Sequence, residues 1–409
     1  MNSQQGFEGF ELRNELSSRE RVVCAIRHSE VDHVPLFFRW WSRRYLSSKE
    51  DAWRDQFERV KKTTALGLDD AVDFEPLRAF DAEVSIRVRK ETVLGERYPL
   101  LHKEYRTPKG TLTQVACQTA DWPHGDDIPI FTDFVVPRSR SKKYLVENVD
   151  DVEALSSLFS DPSERQLQAS YEQANEARRF SAENGVILEC GATYDGPWLD
   201  GSGLFLGDAL AWLCGIENAI VMAHRQPDLL HRLLDTILEW NLRYIRLVSE
   251  LGGSDLIVHR AWYESFWSPR LFRTFFAPRI KKEVDYAHRI GSKFCYIMTS
   301  GVMPLLGPLA EVGIDILYGI DPVQGGADLR QIKQRIGDRV CLWGGMNSAV
   351  TLGSGDRQDV ETAVKDAIES LAPGGGFILA PIDQLFEDTR WENVLTMIET
   401  WHKLSQAQT

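Results

Sequence analysis

Three side chains have the types and spacing for proton or metal chemistry: His259, Glu264 and Asp383. His259 closes the apolar run 255–259, Glu264 lies in the aromatic segment 260–268, and Asp383 closes the run 377–383. An imidazole and two carboxylates brought to one place can run acid–base chemistry or hold a divalent metal. Each also has a plainer reading. His259 can orient a loop through a hydrogen bond, Glu264 can be a solvated loop carboxylate, and Asp383 can cap the turn that follows. Arg39 directly follows the apolar run 34–38. A guanidinium there suits a substrate carboxylate or phosphate, unless it forms a salt bridge to Asp73 or Glu75.

Further candidates for contact with a substrate sit at the same kind of place. They are Trp40, Asp73, Tyr194, Trp262, Tyr296, Met298, Ser300 and Asn347. The Asp321-Pro322 pair can be a turn starter. The chain holds 12 tryptophans, and several fall in loops, which suits an aromatic-lined cavity.

All these residues lie at or just beyond the ends of short β-type runs. The runs are 34–38, 70–74, 186–190, 255–259, 293–297, 314–318, 339–343 and 377–381. Amphipathic helical segments separate most of them, which is the rhythm of parallel βα units. Eight such strands predict an α/β fold, a (β/α)8 TIM barrel, whose sites lie at the C-terminal ends of the strands. A doubly wound open sheet is the alternative. No Gly-x-Gly-x-x-Gly follows a strand, which weakens its dinucleotide-binding version. Residues 80–146 break the rhythm with alternating runs and a Thr107-Pro-Lys-Gly110 turn, and predict a small antiparallel β insertion. Residues 1–17 read as a loosely held tail, and 18–409 as one barrel domain.

Composition narrows the partners. The chain has 409 residues, 43% hydrophobic and 26% charged, with a net charge of −13. That acidity disfavours nucleic acid. No apolar stretch is long enough to span a bilayer. The polar N-terminus lacks a signal-peptide core, and a cytoplasmic location is expected. The six cysteines show no CxxC or CxH spacing and read as reduced core residues. No GxSxG, HExxH, P-loop or EF-hand pattern is present.

Three blocks carry a family resemblance. The first is Arg19-Glu-Arg-Val-Val-Cys-Ala-Ile-Arg27 leading to Asp32-His-Val-Pro35. The second is Ser268-Pro-Arg-Leu-Phe-Arg-Thr-Phe-Phe-Ala-Pro278. The third is Leu371-Ala-Pro-Gly-Gly-Gly-Phe-Ile-Leu-Ala-Pro381 followed by Thr389-Arg-Trp-Glu-Asn-Val394. Together they resemble the uroporphyrinogen decarboxylase superfamily. The resemblance implies a (β/α)8 barrel and one of two activities. One branch decarboxylates a tetrapyrrole without a cofactor. The other moves methyl groups to or from a corrinoid, as in methylcobalamin:coenzyme M methyltransferases and O-demethylase components.

In the methyltransferase branch, zinc is held by a His-x-Cys pair after strand five and a Cys after strand eight. Those positions fall here on Met298, Ser300 and Asp383, so the usual ligand motif is absent. Zinc would need another set, such as His259, Glu264 and Asp383. The leading expectation is a corrinoid-linked methyltransferase or O-demethylase component acting on a small aromatic methylated compound. The cobalamin would be carried by a partner protein, because no Asp-x-His-x-x-Gly segment occurs in this chain. A homodimer is compatible with the family. The second expectation is a cofactor-free decarboxylase, with Arg39 on the carboxylate and Asp73 or Asp383 as proton donor. The third is a non-catalytic binding protein on the same barrel.

Overall fold

A computed structural model describes residues 15–38, 53–131, 140–192, 202–386 and 388–407. Seven parallel strands follow one another around a curled sheet. They are Ala71–Phe74, Ile187–Cys190, Leu256–Arg260, Lys293–Ile297, Ile316–Ile320, Cys341–Asn347 and Phe377–Ile382. The extended segment 34–38 supplies the eighth stave. Leu379 N donates to Pro35 O (2.9 Å), Phe37 N to Leu379 O (3.0 Å), and Asp69 N to Leu36 O (2.9 Å). The last strand is thereby joined to the first, and the expected (β/α)8 barrel is closed.

Two apolar clusters show how the sheet divides its side chains. Phe37, Ala71, Ile187, Leu256, Val258, Cys295, Ile297, Ile316, Tyr318, Cys341, Trp343, Ile378, Ala380 and Ile382 form one cluster. Every stave contributes to it, so it is the barrel interior. Val22, Ala25 and Ile26 of helix Ser18–Ile26 join it and plug one end. Alternate residues, among them Leu36, Val72, Leu188, Ile257, Phe294, Leu317, Leu342 and Leu379, pack outward against the helices. This is the period-two alternation of a strand, buried here on both faces. The register shifts once, between Tyr318 and Ile320. Gly319 sits at that shift with φ +112°, where a Cβ would collide with the Met298 carbonyl.

The insertion is a four-stranded antiparallel sheet, Ser85–Glu91, Leu100–Thr107, Gly110–Cys117 and Ser141–Lys143. Tyr105 and Leu112 on its inner face join the outer core of the barrel. Among the described residues no helix is long and apolar enough to cross a membrane. The six cysteines are free, and all but Cys24 are buried.

Of the tail expected over 1–17, residues 1–14 lie outside the described residues. Glu15 N and Leu16 N both donate to Asp32 Oδ2 (3.1 Å each), and Ser17 caps helix Ser18–Ile26 in a capping box. Asp32 and Asp69 also flank the Arg21 guanidinium at 2.7 Å each, inside the protein. Asp69 Oδ2 accepts from Leu36 N (3.2 Å), so this buried pair anchors the stave that closes the barrel.

Truncating Asp69 would leave Arg21 half-neutralised and Leu36 N without its acceptor. Asp69→Ala is expected to cost about 2–4 kcal/mol. In urea titrations the midpoint should fall with the slope unchanged; an unchanged midpoint would show that this pair does not anchor the stave.

Candidate active site

Strand Leu256–Arg260 runs one residue beyond the predicted 255–259, and alternation then decides which end residue faces where. Leu256 and Val258 point into the barrel. Arg260 therefore points inward too, and His259 points outward. The expectation that His259, Glu264 and Asp383 converge on the mouth is corrected. Two of them meet, in the layer between sheet and helices, and Asp383 is elsewhere.

In that layer His259 is completely buried. Its Nδ1 lies 2.8 Å from Glu283 Oε2, on helix Ala277–Arg289, and its Nε2 lies 3.7 Å from Glu264 Oε1. Glu264 Oε1 accepts from Gly207 N (2.8 Å), where any side chain at 207 would strike the carboxylate. Glu283 Oε1 accepts from Asn241 Nδ2 (2.7 Å), which also donates to Phe205 O (2.8 Å). The His259 ring stacks on Tyr296 at 5.1 Å. Tyr296 thus faces outward as well, not into the mouth.

Burial works against a charge on His259, but Glu283 and Glu264 outweigh it and push its pKa up to about 9. At neutral pH the ring is an imidazolium with both nitrogens protonated, which makes it a poor metal ligand. Tyr296 keeps its proton, pushed up by burial and by Glu264 and Asp208. Nε2 of His259, Oε2 of Glu264 and the Tyr296 hydroxyl are buried without hydrogen-bond partners among the described residues.

The mouth carries a different set. Arg260 is buried, donates from Nη2 to Ser202 Oγ (2.6 Å), and lies 5.6 Å from the Trp262 ring. Trp262 itself packs on the interior cluster. Across from them, the Tyr318 hydroxyl donates to Asp383 O (3.0 Å). Asp383 is half-buried, with Oδ1 sealed from solvent and lacking a partner. Burial and the nearby Asp321 carboxylate raise its pKa to about 6, with Arg260 pulling the other way. Asp73 and Glu189 pair in register on adjacent strands and face inward with Ala71 and Ile187.

The remaining candidates divide by the same geometry. Asn347 donates to Asp321 Oδ2 (2.8 Å) and Gln324 Oε1 (3.0 Å) and accepts from Val350 N (2.6 Å). Its amide positions Asp321, whose Oδ1 accepts from Val323 N and Gln324 N as a turn starter does. Met298 packs outward in the core, and Ser300 is exposed on its loop. Arg39, Trp40 and Tyr194 lie outside the described residues. Glu75, at the end of Ala71–Phe74, is raised to about 8 by burial, against the pull of Arg78, and accepts from Gly203 N (3.1 Å).

Zinc does not fit the described residues. Among the described residues no three His, Cys, Asp or Glu side chains are arranged to hold a metal ion. The alternative set of His259, Glu264 and Asp383 is not assembled, because strand alternation puts His259 on the opposite face of the sheet from the mouth. The thioether of Met298 is turned into apolar packing. Arg260, Glu283 and Asn241 were not among the sequence candidates. The run Leu256-Ile-Val-His-Arg260 shows no polar alternation to reveal which end residue faces inward.

Residues 140–404 match the family model for uroporphyrinogen decarboxylase (URO-D). The curated uroporphyrinogen decarboxylase of Coxiella burnetii is 25% identical over 198 residues, 46% of this chain and 51% of that protein. The one from Trichodesmium erythraeum is 27% identical over 191 residues, with the same shares. The match thus spans about half the length of these curated relatives. Among solved structures, a methyltransferase from Methanosarcina mazei superposes with TM-score 0.56 at 17% identity. It covers 95% of this chain and 99% of that one, a likeness of fold.

The His259–Glu283 pair has a signed pH dependence. The folded pKa, about 9, exceeds the ordinary 6.5. The stabilisation is therefore fully present below about pH 6.5 and is lost as pH rises through about 9. Glu283→Gln should be less stable than the parent by roughly 2 kcal/mol at the acid end of that window. The gap should close toward its alkaline end. Urea unfolding at both ends checks this, and a gap that does not change with pH would mean a neutral His259.

Proposed function

This chain belongs to the uroporphyrinogen decarboxylase family, and we propose that it works as a corrinoid-linked methyltransferase or O-demethylase component on a small aromatic methylated substrate. The observation that carries the reading is Asp383: a carboxyl at the barrel mouth, raised to about 6, with one oxygen sealed and unengaged. A carboxylic acid poised near neutrality suits protonation of a leaving oxygen. The imidazole and thiolate donors that would prepare a thiol acceptor are replaced at 298, 300 and 383. The fold shared with a methyltransferase over nearly its whole length agrees with this reading.

The balance of the step is simple. The methyl carbon–oxygen bond breaks and its electron pair stays on oxygen. The methyl group goes to the reduced corrinoid, a co-substrate on a separate protein, which supplies the pair for the new bond. Asp383 gives its proton to the oxygen and recovers one from solvent. Tyr318 holds the Asp383 backbone in place. Asp321 raises the acid's pKa, and Asn347 fixes Asp321.

One observation favours a second reading, cofactor-free decarboxylation. Arg260 is an inward-facing cation beside an acid, which can grip a carboxylate and deliver a proton to the carbon left behind.

The two readings separate in one experiment. The protein is mixed with methoxyaromatic compounds and a reduced corrinoid protein, while methylated-corrinoid absorbance and released carbon dioxide are followed. Methylated corrinoid and free phenol are expected. Carbon dioxide without methylation would replace the first reading by the second. Asp383→Asn should lower kcat by roughly 100-fold or more. The parent's kcat should fall as pH rises above about 6, where the acid loses its proton. The variant's residual rate should lack that fall.

A further inference from the structure

We propose that strand Ser85–Glu91, the open edge of the antiparallel insertion, is a docking edge for an extended acidic segment of a partner protein, which adds to the four-stranded sheet as a further strand. This edge shares no residue with the mouth and does not depend on the chemistry proposed there.

The backbone is the first support. Ser85–Glu91 pairs along its whole length with Leu100–Thr107, and among the described residues no strand lies on its other side. Such an edge presents a row of N–H and C=O groups ready to pair. Alternation supplies the second support. Ile86 stands opposite Tyr105 and Val88 opposite Lys103, and both of those partners are buried. Ile86 and Val88 therefore turn to the same inner face, yet each is 40% exposed. Apolar surface continues beyond them. The Tyr105 ring lies 6.0 Å from Phe80, itself 38% exposed, and Phe80 stacks on Phe159 at 5.0 Å. Phe159 lines one cleft with Leu77, which is exposed as well. A strand added at the edge would turn alternate side chains to this inner face, beside Ile86 and Val88.

Charge is the third support. The chain as a whole carries −13, but this strand carries Arg87, Arg89 and Lys90 against Glu91. Glu91 holds Arg89 (2.5 Å) and Asp126 holds Lys90 (3.1 Å). Arg87 makes no ion pair among the described residues. Glu104, opposite it, is taken by Arg106 (2.7 Å). A carboxylate across the open edge meets that cation. The same arginines disfavour a second copy of this strand as the occupant. In the two-fold antiparallel registers centred on residues 87, 88 and 89, arginine stands opposite arginine each time, which is destabilising. The occupant that fits alternates acidic residues, on the outer face with Arg87, and apolar residues, on the inner face with Ile86 and Val88.

Fluorescence anisotropy of the full chain with a capped, dye-labelled peptide alternating valine and glutamate tests this. Binding is expected, and replacing every glutamate by glutamine should weaken it about 10-fold or more. Arg87→Glu should cost a similar factor and leave the urea midpoint unchanged, because the side chain is exposed. Two further peptides carry N-methyl groups on the valines or on the glutamates. Alternate residues of a strand point their N–H groups to the same edge, so one methylated peptide should lose binding and the other keep it. Equal behaviour of the two overturns strand addition. Undiminished binding to Arg87→Glu overturns the acidic partner, and no rise in anisotropy up to about 1 mM peptide overturns the docking edge itself. Sedimentation of the protein alone should show no self-association that Val88→Asp abolishes. A dimer dissolved by that substitution would place a second copy on the edge instead.

Discussion

The two-residue period of a strand, imposed on a closed sheet, is the constraint on which the rest of this molecule depends. Once the segment 34–38 joins the last strand to the first, every side chain on the staves must face either the interior or the helices. There is no third choice, and neighbouring residues take opposite sides. That rule separates His259 from Arg260. It sends the histidine into a dry layer with Glu264 and Glu283 and the arginine into the mouth with Trp262 and, across it, Asp383.

The two polar groups so created have different electrostatic characters. Around His259, carboxylates on both sides hold a buried proton firmly, and the whole group lies away from the interior cluster. Its hydrogen bonds connect a strand, a loop and two helices, through Glu264, Glu283 and Asn241. The network ties these elements to one another, while His259 Nε2, Glu264 Oε2 and the Tyr296 hydroxyl have no hydrogen-bond partner among the described residues. At the mouth, by contrast, Asp383 is destabilised as an anion by burial and by Asp321. The first arrangement stores a charge, whereas the second keeps a proton available to leave.

Much of the fold was legible before any coordinates. Apolar β-type runs at regular spacing, separated by amphipathic segments, marked eight staves, and the alternating runs with the Thr107-Pro-Lys-Gly110 turn marked the antiparallel insertion. These are local signals, and local backbone preferences and hydrophobic periodicity report them directly. The site was legible only in part. Asp383 and Asp321 stand at strand ends and were visible as such. Arg260 was passed over because its strand is apolar on both faces, and a doubly buried strand shows no alternation by which to read its sides.

By itself, then, the sequence determined the kind of fold and the order of its strands. Both depend on residue type and near-neighbour spacing. Tertiary structure alone decided which charges share a space. Glu283 reaches His259 across 24 residues, and Asn347 reaches Asp321 across 26. Those meetings depend on helix packing and sheet register. The physical reason is that a one-residue difference in where a strand ends exchanges the inner and outer faces, and only the closed barrel says where that end lies.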